Sequence, residues 1–204
     1  PKKSNVILFG SLSDRIASSK DMVVKVDNVQ LPFKDKIESL GIVLDENLRF
    51  KEYVTKKIGK AYSALRPLYP HRTYLDRCTK KRLCDSLVLS QLSYCAPVYH
   101  ECIDSVTSNK IQRVQNSCIR FIFGIKKYDH VSHKLKDLQW LNMSNRRAVL
   151  SLCLYHKILQ SQLPCYLYNK ISFRNETHNL NLRNKAAISV PHHRISLFER
   201  GFRY

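Results

Sequence analysis

An α+β fold, mainly α, follows from three features of this 204-residue chain. Short β-type apolar runs fall before residue 50, helix-period stripes dominate after it, and Gly and Pro sit at the joints between them. An apolar fraction of 44% is ordinary for a folded protein and excludes wholesale disorder. The length suits one ordinary domain, or one domain with a smaller piece attached. We expect a small antiparallel β piece over 1–49, a basic helical region over 50–125, and a helical connector with an irregular tail over 126–204.

Val6, Ile7, Leu8 and Phe9 form a short buried-strand pattern closed by Gly10. The run from Met22 to Val26, the pair Asp27-Asn28 and the run from Val29 to Leu31 read as a hairpin, because Asp-Asn accepts a tight turn. Residues 40–44 supply another strand, in which Gly41 marks a bend or a close backbone approach. Too little material covers these strands for them to be stable alone. Asp45 and Glu46 open the turn that follows.

From Phe50 the period changes. Val54, Ile58, Ala61, Leu65 and Leu68 recur at helical spacing, with Lys56, Lys57 and Lys60 off that stripe, and Pro67 and Pro70 end the helix. A second helix begins near Asp76, its apolar face Leu83, Leu87, Val88 and Leu92 and its wet face Arg77, Lys80, Lys81 and Arg82. An aromatic break over 94–99 centres on Pro97. A third helix over 104–123 turns Ile111, Val114, Cys118, Phe121 and Ile122 inward, and Gly124 is its C-cap. Residues 130–138 suit a short helix, and Trp140-Leu141 an anchor. Ser144 then caps a helix through Ala148, Leu150, Leu154 and Ile158, which Pro164 ends. Beyond Arg174 the texture is that of loop with weak strands.

Charge is the unusual quantity. Lys and Arg number 35 against 16 Asp and Glu, a formal net charge of +19. Residues 1–50 carry eight basic and seven acidic side chains, so nearly all of the surplus lies in the helical remainder. A field of that size implies a polyanionic partner, nucleic acid first. Seven scattered cysteines without a Cys-x-x-Cys pair read as reduced core residues of an intracellular protein, nuclear or cytoplasmic. No secretory signal and no membrane-length apolar run occur, and the absence of an initiating Met suggests a chain cut from something longer.

Carboxylates are scarce and dispersed, so no convergent pair offers acid–base or two-metal chemistry. His130-x-x-His133, His192-His193 and Cys95-x6-Cys102 lack the four-ligand rhythm of a zinc site. No Gly-rich phosphate loop follows Gly10. The residues themselves name no catalytic group and no metal ligand. Basic clusters are the better signal. Lys56, Lys57 and Lys60, then Arg77, Lys80, Lys81 and Arg82, then Lys110, Arg113 and Arg120 fall on consecutive helices, as phosphate contacts along a duplex require. Lys126-Lys127 and Arg146-Arg147 extend the track. Tyr62, Tyr69 and Tyr74 either stack on bases or pack a helix seam.

Five segments in register carry a resemblance: "KSNVILFGS" (3–11), "IESLGIVLDENLRFKEYVTKKIGKA" (37–61), "LVLSQLSYCAPVYH" (87–100), "KIQRVQNSCIRFIFG" (110–124) and "LKDLQWLNMSNRRAVLSLCLYHKI" (135–158). Across nearly the whole chain they resemble the end of the reverse transcriptase domain, with its thumb and connector, of jockey-like non-LTR retrotransposons. The resemblance implies an RNA-directed DNA polymerase whose palm aspartates hold Mg2+. Those aspartates belong to a loop upstream of residue 3, so the chain looks like a fragment whose intramolecular partner is the missing fingers and palm. Val6 to Phe9 would be the palm strand after the catalytic hairpin. Leu40, Gly41 and Leu44 would lie in a primer-grip-like segment, where Gly41 leaves room that a side chain would fill. The basic groups would sit on thumb helices holding an RNA–DNA hybrid or duplex. Two readings stand beside this one: a self-contained helical nucleic-acid-binding protein without enzymatic activity, and an interaction module whose basic faces are merely solvated.

Overall fold

The computed structural model describes residues 4–10, 12–177, 183–184 and 187–190. It is α+β and mostly helical, and its strands pair as small two-stranded antiparallel sheets. The chain divides into two compact units, Pro1–Cys95 with Ile103–Trp140, and Ala96–Cys102 with Leu141–Tyr204.

In the first unit, helix α1 (Leu12–Asp21) was not expected from the sequence. Its Arg15 is buried and pairs with Glu46. Strands β1 (Lys25–Val26) and β2 (Val29–Gln30) form the expected hairpin. Asp27 and Asn28 take φ of 50° and 61°, the paired positive values of a type I′ turn. The strand expected over Val6 to Phe9 reduces to one bridge. Val6 is bonded to Pro32 and Lys34 and pairs in parallel with Phe33, while Phe9 is 50% exposed. A four-residue apolar run gains nothing as a strand when no neighbour continues beside it.

The strand expected over 40–44 is instead one arm of a second hairpin, β3 (Lys36–Ser39) against β4 (Ile42–Asp45), with Ser39 opposite Ile42. Leu40 and Gly41 make its tip. Asp45 then accepts from the Arg49 and Phe50 N–H groups at 3.0 and 2.8 Å, turning the chain into α2 (Lys51–Leu65). On α2 the side chains of Tyr53, Val54, Ala61 and Leu65 are buried. Pro67 and Pro70 place a 3-10 stretch, Arg66–His71, after it.

Asp76 caps α3 (Arg77–Leu83) by accepting from the Cys78 and Thr79 N–H groups. The same helical run continues as a π-helical stretch, Cys84–Leu89, and then α4 (Ser90–Ser93). The π stretch inserts a residue and rotates the downstream side chains. Leu87, expected inside, is therefore 44% exposed, while Cys84, Val88, Leu89 and Leu92 are fully buried. Helix α5 (Ala96–Tyr99) belongs to the second unit, and α6 (Ser105–Phe123) to the first. Helix α6 runs from an Asp104 cap to Gly124 at φ 69° and buries the whole expected stripe together with Gln115 and Ile119. Each buried aliphatic side chain of this core contributes about 1.5–3 kcal/mol. Helix α7 (Lys134–Asp137) follows. The Trp140 indole N–H donates to Asp85 Oδ2 at 3.1 Å, so Trp140 anchors on the π stretch.

The second unit packs α5 on α8 (Met143–Ser161) and adds α9 (Cys165–Tyr168), β5 (Ser172–Phe173), α10 (Arg174–Thr177) and β6 (Ile188–Ser189). The cap of α8 is Asn142, not Ser144, accepting from Asn145 N–H at 2.7 Å. Leu154, expected inside, is 37% exposed, and Arg147, expected on a basic surface, is buried. That burial pushes the Arg147 guanidinium below its ordinary pKa, with Tyr99 and Glu101 opposing. All seven cysteines are free, but only Cys84 and Cys118 are core residues; Cys78, Cys153 and Cys165 are exposed. Cys84 beside it, and then burial, push the Cys118 thiol far up, which leaves it inert. No described helix is long and apolar enough to cross a membrane. His192, His193 and most of the tail lie outside the described residues.

Asp104 accepts from Thr107 N–H at 2.8 Å and pairs with Lys51 at 3.0 Å. The Thr107 hydrogen bonds first, then Lys51, hold its carboxyl well below the usual carboxylate range. This contribution is present above the unfolded pKa of about 3.9 and is lost as pH falls through the depressed folded value. The urea midpoint is expected to hold between about pH 7 and 5 and to fall below about pH 4. Asp104→Asn keeps a capping oxygen and removes the charge, so it should flatten part of that fall. An acid profile identical to wild type would contradict this role.

Candidate functional site

A cavity of about 350 Å3 lies between the β3–β4 hairpin and α2. Glu38, Gly41, Val43, Tyr53, Lys56, Lys57, Gly59, Lys60 and Ser63 line it. The helix supplies the positive wall for a geometric reason. Burying Tyr53, Val54, Ala61 and Leu65 leaves Lys56 and Lys60 on the exposed flank beside the hairpin, and Lys57, one turn from both Tyr53 and Ala61, half-buried at the edge of that face. Three lysines face one acidic lining residue, Glu38.

The lysines are not equivalent. Lys56 pairs with Glu52 at 3.1 Å, and Glu52 also accepts from Lys36 at 2.6 Å. Lys36 first, then Lys56, hold the Glu52 carboxyl below its usual value. Lys57 lies 4.5 Å from the centre of the Tyr94 ring and 5.4 Å from that of Tyr53, in cation–π range of both. Lys60 is exposed and has no acidic partner among the described residues.

The glycines leave the walls bare. A Cβ added at Gly41 or Gly59 meets nothing within 4 Å. Nothing in the chain itself crowds Gly41, and its φ of 74°, which L side chains rarely adopt, is a backbone reason for glycine there. Leu40, beside it, holds a φ of 49° with its side chain 88% exposed. Leu44 lies on β4 and does not line the cavity.

Of the basic residues singled out from sequence, only Lys56, Lys57 and Lys60 meet Gly41 here. Arg77 sits over the Phe123 ring at 4.7 Å and Lys80 over Phe121 at 6.0 Å. Arg120 donates to the Lys126 and Asp129 carbonyls and holds the loop after α6. These three have structural duties. Lys81, Arg82, Lys110 and Arg113 do not line the cavity. Tyr69 packs on Phe121 with ring centres 5.4 Å apart, a helix-seam role, whereas Tyr62 is 38% and Tyr74 87% exposed.

No protein-family model, curated protein or solved structure matches the chain. Among the described residues no group of three or more His, Cys, Asp or Glu is placed to hold a metal ion. These residues do not fit the Mg2+ that the resemblance assigns to the intact enzyme.

Sequence reasoning passed over Tyr53, Gly59, Ser63 and Glu38, and saw Tyr94 only as part of an aromatic break. The signal for Gly59 was a glycine inside an otherwise strong helix pattern, which marks an open approach. Substitutions at Gly41 test the backbone reason. Gly41→Asn should leave the urea midpoint close to wild type, because Asn tolerates positive φ. Gly41→Val should cost about 1–2 kcal/mol. Equal losses in both variants would show that the positive φ is not what calls for glycine there.

Proposed function

We propose that this chain holds a nucleic-acid duplex, an RNA–DNA hybrid first, by sequence-independent phosphate contacts. In this reading it is the thumb and connector portion of a retrotransposon reverse transcriptase, and the catalytic aspartates belong to a palm outside these residues. The observation that carries the reading is the convergence of Lys56, Lys57 and Lys60 with Gly41 and Gly59 on one open groove. A phosphate backbone needs cations at its edge and bare protein backbone beside it, and this groove supplies both. A net charge of +19 adds long-range attraction for any polyanion. The five sequence segments in register supply the kind of polymerase.

The groove sets the chemistry. Each lysine that displaces counterions from phosphates adds to affinity and to its salt dependence. Glu52 weakens this by offsetting one of the two charges of Lys36 and Lys56, and Glu38 disfavours an anion placed against the hairpin. The residues described here bind and position; they transfer no group.

Two outcomes follow. Binding to an RNA–DNA hybrid, measured by fluorescence anisotropy across a salt series, should weaken steeply with salt and depend little on sequence. The variant Lys56→Gln, Lys57→Gln, Lys60→Gln should reduce the log–log salt slope by roughly 0.7–0.9 per lost contact. No binding at low salt, or binding indifferent to salt, would defeat the proposal. Gly59→Ala should raise helix stability by about 0.5–1 kcal/mol while weakening hybrid binding. Stabilisation without weakened binding would remove Gly59 from the interface.

A further inference from the structure

Three pieces distant in sequence meet at one residue. The Tyr94 hydroxyl donates to the Leu40 carbonyl at 2.7 Å, across 54 positions of chain. The Tyr94 carbonyl accepts from the Tyr53 hydroxyl of α2 at 3.1 Å. The Tyr94 ring lies under the Lys57 ammonium at 4.5 Å. Tyr94 does not line the groove, yet it touches the hairpin tip, the helix wall and one of the three lysines.

Its placement is specified by the backbone. Helix α4 ends at Ser93, Tyr94 itself is extended with ψ of 125°, and Cys95 turns back at φ 52°. That break turns the ring out of the helical run, and the side chain stays 45% exposed. A tyrosine that exposed gains little from burial, so its three contacts account for its position better than core packing does. At the other end, Leu40 is a non-glycine residue at positive φ, a conformation that persists where surrounding contacts hold it.

We propose that Tyr94 is a positioning residue that latches the β3–β4 tip over α2 and aims Lys57, and so sets the width and charge of the groove. The hydroxyl and the ring do separable work. The hydroxyl fixes the hairpin tip through Leu40; the ring fixes the ammonium of Lys57. Without the hydroxyl, the tip loses its tie to Tyr94 and keeps the ladder that begins at Ser39 and Ile42, with the Lys36–Glu52 pair holding the far end of the hairpin to α2. Without the ring, Lys57 keeps Tyr53 alone, at 5.4 Å. This inference rests on the proposed nucleic-acid reading for its binding consequence, but not for its local one.

Two variants of the full chain divide these roles. Tyr94→Phe removes the hydroxyl and keeps the ring, whereas Tyr94→Leu removes both. Hydrogen exchange measures the latch without any ligand: Leu40 to Ile42 amides should exchange roughly two- to tenfold faster in Tyr94→Phe, while α6 amides stay as in wild type. Unchanged tip exchange, or unfolding of the whole chain by Tyr94→Phe, overturns the latch. Hybrid binding then measures the aim. Tyr94→Phe should lose affinity with its salt slope intact, and Tyr94→Leu should in addition lose about 0.7–0.9 from the slope as Lys57 leaves the phosphates. A merely structural role would lower both affinities with no difference in slope, and that result overturns the aiming role. If wild type does not bind the hybrid, the nucleic-acid reading fails while the exchange result still decides the latch.

Discussion

Helix α2 can bury only one face, and that constraint arranges everything around the groove. Tyr53, Val54, Ala61 and Leu65 take the inside, packed with the π stretch, α4 and α6. At 3.6 residues per turn, Lys56 and Lys60 then fall on the flank of that face beside the hairpin, while Lys57, in the same i, i+4 row as Tyr53 and Ala61, sits half-buried at its edge. The hairpin cannot choose its place freely either. Asp45 ends β4 and caps the turn into α2 with the same carboxylate, so strand and helix are joined by five residues. A basic wall opposite a glycine-bearing tip is the geometric result.

The first unit balances its charges unevenly along this wall. Glu52 sits between Lys36 and Lys56, Asp104 holds Lys51, and Lys57 rests on two aromatic rings. Exposed ion pairs of this kind contribute little to stability and are screened by salt. Their larger effect is to orient the lysines. Lys60 is exposed and has no acidic partner or ring contact among the described residues. Elsewhere the same chemistry serves the fold: Arg77 and Lys134 both lie over Phe123, closing the end of α6. Basic residues on consecutive helices thus differ in duty: Lys56 and Lys60 line the groove, Arg77 and Lys80 cover aromatic rings, and Lys57 does both.

The sequence was informative where the cause is local. Asp27-Asn28 at positive φ, the caps Asp76 and Asp104, the prolines after Leu65, Gly124 at φ 69° and the buried stripe of α6 are all set by near neighbours. The β3–β4 hairpin was half legible: Gly41 showed a bend, but Leu40 gave no sign of positive φ. What stayed hidden needed distant partners. Helix α1 has a buried arginine and little apolar pattern, the π stretch turns Leu87 outward, and Arg147 finds its burial against α5. The candidate site follows the same division. Its lysines were visible as a cluster, whereas the role of Tyr94 depends on a residue 54 positions away.

Charge alone would spread a polyanion over many surfaces of a +19 chain, so the decisive question is where it sits. Lysine footprinting answers it: brief acetylation with and without an RNA–DNA hybrid at low salt, read residue by residue by mass spectrometry. Protection concentrated at Lys56, Lys57 and Lys60, with Lys110 and Lys127 modified equally in both conditions, is the predicted pattern. Uniform protection over all lysines, or protection that spares α2, would show that the groove is not where the polyanion binds.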